Sequence, residues 1–165
     1  MRCNSLVPQS FMSPAMFGPP PWPQKQVALN ASSGGAGPLP IITTLFAEPL
    51  NVVSTSIDTR GMPSTNNLLT FTSIVNLPLG ISVTLNFQIR RSSNDGSNVH
   101  VGATYTFSTV VDVLEAEAFS FQFFDSNATP DFYTYSIELS TNSIIDITPG
   151  CSIQNAVLSV LAVAD

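Results

Sequence analysis

Residues 82–90 read Ser82-Val-Thr-Leu-Asn-Phe-Gln-Ile-Arg90. Val83, Leu85, Phe87 and Ile89 alternate without a break with Ser82, Thr84, Asn86, Gln88 and Arg90. Successive side chains on a strand point to opposite faces, so this two-residue period buries one face and wets the other; a helix would scatter the same residues around its axis. The stretch is therefore expected to be a half-buried strand.

Val99 to Ser108 repeats the pattern, with Val99, Val101, Ala103, Tyr105 and Phe107 expected inward. Between the two runs, Ser92-Ser-Asn-Asp-Gly-Ser-Asn98 has the composition of a hairpin loop. Further along, Phe119, Phe121 and Phe123 alternate with polar residues, as do Tyr133, Tyr135, Ile137 and Leu139. Ile145 and Ile147 flank Asp146, and Ala156, Leu158, Val160 and Ala162 form a final run. Earlier candidates are 41–46, 52–58 and 68–74. Residues 110–118 are expected to cross between strands. The count is about eight strands with no long amphipathic helix, which points to an all-β antiparallel jelly-roll sandwich.

The first forty residues differ. Eight of the thirteen prolines fall there. Phe11-Met-Ser-Pro-Ala-Met-Phe-Gly-Pro-Pro-Pro-Trp-Pro23 places the only tryptophan among prolines, phenylalanines and methionines. Ala31-Ser-Ser-Gly-Gly-Ala-Gly-Pro-Leu-Pro40 reads as a linker. The expected organisation is an extended Pro-rich connector and linker over 1–39 and a sandwich domain over 40–165.

The chain has 165 residues, 44% apolar and 10% charged, which suits one domain with a real core. Its apolar runs are too short for a membrane span. No signal-peptide core follows Arg2, so export by the general secretory route is not expected. Residues 1–47 carry Arg2 and Lys25 and no acid. Residues 48–165 set three arginines against eleven acids, a net of −8. That acidic body excludes a nucleic-acid partner, whose phosphates require a basic face.

Candidate chemistry is sparse. His100 is the single histidine and falls on the polar face of its strand, with no second histidine or cysteine pair to complete a zinc site. Glu115 and Glu117 would share a face of a strand, but no other convergent group joins them. Asn94-Asp95-Gly96 lacks the ligand pattern of a calcium loop. No phosphate loop or other cofactor motif occurs. The expectation is a protein that is not an enzyme and holds no cofactor or metal. For Cys3 and Cys151 two readings stand: inert thiols, or a bridge from the tail of one copy to the body of another, formed only in an oxidising place.

The aromatic tail asks for a receiver. At about 3.1 Å per residue, residues 1–23 reach roughly 70 Å. A compact domain of this size has a radius of gyration near ~14 Å, so the tail can cross a neighbouring copy. Strand-like docking is expected near Val7, Phe11 and Met12. Groove packing is expected from Met16, Phe17, Pro19, Pro20, Pro21 and Trp22.

Four stretches carry a family resemblance: Phe17-Gly-Pro-Pro-Pro-Trp-Pro23; Phe71-Thr-Ser-Ile-Val-Asn-Leu-Pro-Leu-Gly-Ile-Ser-Val-Thr-Leu-Asn-Phe87; Tyr133-Thr-Tyr-Ser-Ile-Glu-Leu-Ser-Thr-Asn-Ser143; and Ile153-Gln-Asn-Ala-Val-Leu-Ser-Val-Leu-Ala-Val163. Together with Cys3 in a signal-less connector, they resemble the endospore appendage subunits and exosporium jelly-roll proteins of spore-forming bacilli, whose bodies are TNF/C1q-like. The resemblance implies a self-assembling structural subunit of a spore-surface fibre. Its connector would enter a neighbouring subunit, and it would reach the outside when the mother cell lyses. Its implied partners are copies of itself, as stacked trimers or a helical array, with a spore-surface anchor protein and a tip protein. Many such subunits carry a Cys-Cys pair where this chain has only Cys3, so joining here is expected to rest on strand addition and aromatic packing. The alternative is a jelly-roll carbohydrate- or receptor-binding module using loops 92–98 and 125–131, anchored by its tail.

Overall fold

The structure is a computed structural model, and it describes residues 25–39, 48–78, 82–110, 115–126, 128–141 and 151–164. In chain order the strands are β1 (Val27–Ala36), β2 (Leu50–Asp58), β3 (Thr65–Leu77), β4 (Ser82–Ser93), β5 (Asn98–Val110), β6 (Glu115–Asp125), β7 (Phe132–Ser140) and β8 (Ser152–Ala164). They form two four-stranded sheets, ordered β1-β8-β3-β6 and β2-β7-β4-β5, with every described pairing antiparallel. Only the β4–β5 connection stays within one sheet; the others pass between sheets. This is the expected eight-stranded jelly roll.

Register explains the core. Phe87 lies opposite Leu139 and Ile89 opposite Ile137. In the other sheet Phe71 lies opposite Leu158 and Leu69 opposite Val160. These inward rows meet face to face, and Phe71, Phe87, Leu85, Ile137, Leu139 and Leu158 are fully buried. Each such side chain contributes about 1.5–3 kcal/mol of hydrophobic burial. The β4–β5 loop is a turn as expected. Ser93 N–H donates to the Ser97 carbonyl (3.0 Å), Ser97 N–H donates to Asp95 Oδ1 (2.8 Å), and Gly96 takes a φ of +84°.

Four expectations change. Residues 31–36, expected as linker, belong to β1, which pairs with β8 from Val27↔Val163 to Ala36↔Ile153. The inward positions of β1 are Ala28, Asn30, Ser32 and Gly34, small because β1 lies against β2. Asn30 Nδ2 donates to the Ser56 carbonyl at 2.7 Å, and a Cβ on Gly34 would come within 2.5 Å of the Val52 carbonyl oxygen. The sandwich therefore begins at Val27, not at 40, and Leu39 is in its core.

Residues 115–118, expected in a crossover, already pair with β3, Val75 opposite Glu117. Ala103, expected inward, is exposed. Between the pairs Phe87↔Tyr105 and Ile89↔Val101 one residue of β4 faces three of β5, and this bulge, built on Gly102 (φ +75°), pushes Ala103 out. Val99, also expected inward, is 43% exposed at the end of β5. The candidate strand 41–46 and the Ile145/Ile147 segment lie outside the described residues.

Candidate functional site

The two long sides of the sandwich are closed differently. On one side β1 packs on β2 through small residues. On the other, β5 and β6 are the outer strands of their sheets and are not paired with each other. Rings close this side. Tyr105 stacks on Phe121 with centroids 3.8 Å apart and planes 6° apart, and Phe107 meets Phe119 edge-on at 5.8 Å. Behind them Phe121 packs on Phe71 (5.0 Å) and Phe119 on Phe87 (4.8 Å). The backbone at Gly102 rests on Phe123, where a Cβ would come 2.8 Å from the ring. Tyr105 Oη donates to the Gln122 carbonyl across the seam at 3.3 Å.

Tyr105, Phe119, Phe121 and Phe123 are only partly buried. Burial nonetheless pushes the Tyr105 phenol up from its ordinary value. The seam thus offers aromatic faces between two backbone edges that have no ladder partner on that side among the described residues. Such a surface takes proline and aromatic side chains by stacking and an extended backbone by strand addition.

At the loop end of the sandwich a polar network ties the sheets together. Arg91 Nη1 contacts Asp125 Oδ2 at 2.7 Å, Tyr135 Oη donates to the same oxygen at 2.9 Å, and Asn67 Nδ2 donates to Tyr135 Oη at 2.9 Å. Arg91 and Tyr135 belong to one sheet, Asp125 and Asn67 to the other. The Arg91 guanidinium also lies 5.2 Å from the Tyr133 ring centroid. Burial works against the Arg91 charge, but the bond to Asp125 outweighs it and the guanidinium pKa is raised. Tyr135 is pushed up, first by burial and then by the Asp125 charge. Nearby, Thr59 and Asp131 join loops 59–64 and 126–131, Thr59 N–H donating to the Asp131 carbonyl at 2.9 Å.

On the outer face of the second sheet, Glu138 receives Arg90 Nη1 at 2.9 Å and lies 2.9 Å from His100 Nε2. Burial alone would raise the Glu138 carboxyl, but its bonds to His100 and Arg90 outweigh that and lower it. With Glu48, Pro49 and Asn98 these residues line a shallow recess. His100 thus sits on the polar face beside the loop, as expected. Among the described residues no group of three His, Cys, Asp or Glu could hold a metal ion, and no helix is long and apolar enough to cross a membrane.

The connector residues Val7, Phe11, Met12, Met16, Phe17, Pro19, Pro20, Pro21 and Trp22 lie outside the described residues, as does Cys3. Cys151 is fully buried, and burial pushes its thiol up to about 11. Its carbonyl accepts the Leu39 N–H at 2.8 Å. Any bridge from Cys151 requires this contact region to open. Glu117 is exposed on β6 and makes no ion pair among the described residues. The seam was missed by sequence reasoning. The alternation placed each of its rings inward but did not say that β5 and β6 would meet; the phenylalanines at 119, 121, 123 and 124 were the available signal.

Solved structures with a similar outline include a chain of infectious bursal disease virus Gx strain (13% identity, TM-score 0.47, covering 92% of this chain and 36% of that one). The VP2 subviral particle of infectious bursal disease virus is another (13% identity, TM-score 0.48, 92% and 37%). A third is the enzymatically active domain of tailspike protein 4 of bacteriophage CBA120 (10% identity, TM-score 0.33, 81% and 19%). The chain spans little more than a third of the length of the viral chains. No curated protein matches it. A family model described as a domain of unknown function, DUF4489, matches residues 26–163, which takes in every strand from β1 to β8 apart from the last residue of β8, and the chain belongs to that family.

Proposed function

We propose that the chain is a non-enzymatic structural subunit that assembles with copies of itself, its N-terminal segment docking in the β5/β6 seam of a neighbour. The observation that carries this reading is the seam itself, partly buried rings between two strand edges that are unpaired among the described residues. The segment before Val27 has the complementary composition, prolines, phenylalanines and Trp22, and a contact of this kind between unlike surfaces builds open chains. The resemblance to appendage and exosporium subunits supports a finer reading, a fibre on the spore surface released with the mother cell's lysis. The recess at Arg90, His100 and Glu138 favours a second reading, a carbohydrate- or receptor-binding module.

Negative-stain electron microscopy of the full-length protein beside Trp22→Ala and Tyr105→Ala variants tests the assembly. The proposal expects filaments in the wild type, lost or shortened in both variants, with Trp22 emission shifted to the red in Tyr105→Ala. Discrete particles throughout, with unchanged emission, would refute it and favour the binding module.

A further inference from the structure

The outer faces of the two sheets differ in chemistry. That of the β2-β7-β4-β5 sheet carries Arg90, His100 and Glu138. That of the β1-β8-β3-β6 sheet carries no charged side chain at any described outward position. One apolar row crosses all four of its strands, because register places Leu29 opposite Leu161, Leu161 opposite Leu68, and Leu68 opposite Phe124. Val27 and Val163 extend the row at the β1 side. Leu29 is 70% exposed, Val27 58% and Phe124 57%. Val157, 39% exposed, and Ile74 add apolar surface beside the row, and apart from Gly35 the other outward positions are serine, threonine, asparagine, glutamine and alanine, as where Gln122 Nε2 donates to Thr70 Oγ1 at 3.3 Å. Among the described residues no element packs on this face.

We propose that this outer face is a self-association surface, stacked on the same face of a second copy about a twofold axis. This inference rests on a different surface from the seam and stands without it. Three observations single out a second copy. The chain carries a formal charge of −6, so most pairings of two copies bring carboxylates together, whereas this face meets itself with no charge to desolvate. Its extent is sufficient: four strands about 4.8 Å apart over about ten residues give roughly 600 Å² per copy and about 1,200 Å² for the pair, the lower bound of a stable specific interface. Its layout fits an interface core, an apolar row with uncharged hydrogen-bonding residues around it. Two sheets stacked in this way lie about 10 Å apart, the spacing at which leucine and phenylalanine rows interdigitate.

The test uses the full-length chain carrying Trp22→Ala, so that connector docking contributes least, with and without Leu29→Glu and Phe124→Glu. Both sites are mostly exposed, so the core packing is untouched. Sedimentation equilibrium is expected to show an assembly whose mass falls at least twofold when the two glutamates are introduced. Trp22 emission is compared separately in the wild type and in the chain carrying only Leu29→Glu and Phe124→Glu, and it is expected to be unchanged. A Trp22→Ala chain that is already monomeric, or a mass that the glutamates leave unaltered, overturns the proposal. So does a red shift of Trp22 emission on adding them, because residues 1–24 rather than a second copy's sheet would then be covering the face. The seam reading is judged by Tyr105→Ala instead, so the two can fail separately.

Discussion

Tyr135→Phe removes one oxygen from the middle of the sandwich. The Tyr135 hydroxyl donates to Asp125 Oδ2 and accepts from Asn67 Nδ2, each at 2.9 Å, and the side chain is fully buried. Losing the bond to a carboxylate costs about 1.5–3 kcal/mol. Asn67 Nδ2 is also left without this acceptor, so part of a buried-donor penalty of about 1–3 kcal/mol adds to it, beside an Asn67 Oδ1 that has no hydrogen-bond partner among the described residues. Arg91 still holds the Asp125 carboxylate, which limits the total to about 2–4 kcal/mol. Tyr133→Phe is the control. Its hydroxyl donates to the Thr129 carbonyl at 2.7 Å, a neutral bond worth about 0.5–1.5 kcal/mol. Urea unfolding followed by far-UV circular dichroism measures both. If Tyr135→Phe costs no more than Tyr133→Phe at equal slope, the charge-assisted bridge between the sheets is not what the geometry says it is.

Gly102→Ala puts a methyl at a φ of +75° and 2.8 Å from the Phe123 ring, and is expected to cost about 1–2 kcal/mol, read as a lower thermal midpoint. An unchanged midpoint would contradict the backbone strain as well as the contact, because a Phe123 ring that turned aside would still leave alanine at a positive φ. For Cys151 the folded thiol is held up from 9.0 to about 11. The unfolded chain therefore ionises first, and stability present below about pH 9 is lost as pH rises to about 11, by roughly 2–3 kcal/mol. The difference in urea midpoint between the wild type and Cys151→Ala should narrow across that interval; a constant difference would contradict the burial argument.

The alternation at 82–90 and 133–139 gave away the strands that face the core on one side and water on the other, because burial imposes the two-residue period there. β1 escaped the same reasoning. Its inward residues, Ala28, Asn30, Ser32 and Gly34, are sized by the approach of β2, and a sequence of small residues looks alike whether it is packed or solvated. The bulge at Gly102 was invisible because it inserts two residues and so preserves parity. It displaced only Ala103 from the expected set. Nothing local in the sequence marks Asp125 and Arg91 as partners, since their pairing across 34 positions depends on the fold bringing β4 and β6 to one end. The seam and the charge-free face likewise belong to strand order, which no single stretch of sequence encodes.

The placement of β1 has a mechanical meaning. The chain before Val27 continues from an outer strand that, among the described residues, has β8 as its one ladder partner, in register over eight residue pairs with a ninth beyond a bulge. In a filament joined through that segment, tension enters the body along the β1 axis. Drawn lengthwise, the β1–β8 bonds are loaded together and resist in shear. Drawn sideways, they open one after another from the Val27 end. A joint that lies in line with β1 would therefore make a stiff, strong thread from the same subunit that an oblique joint would let peel apart.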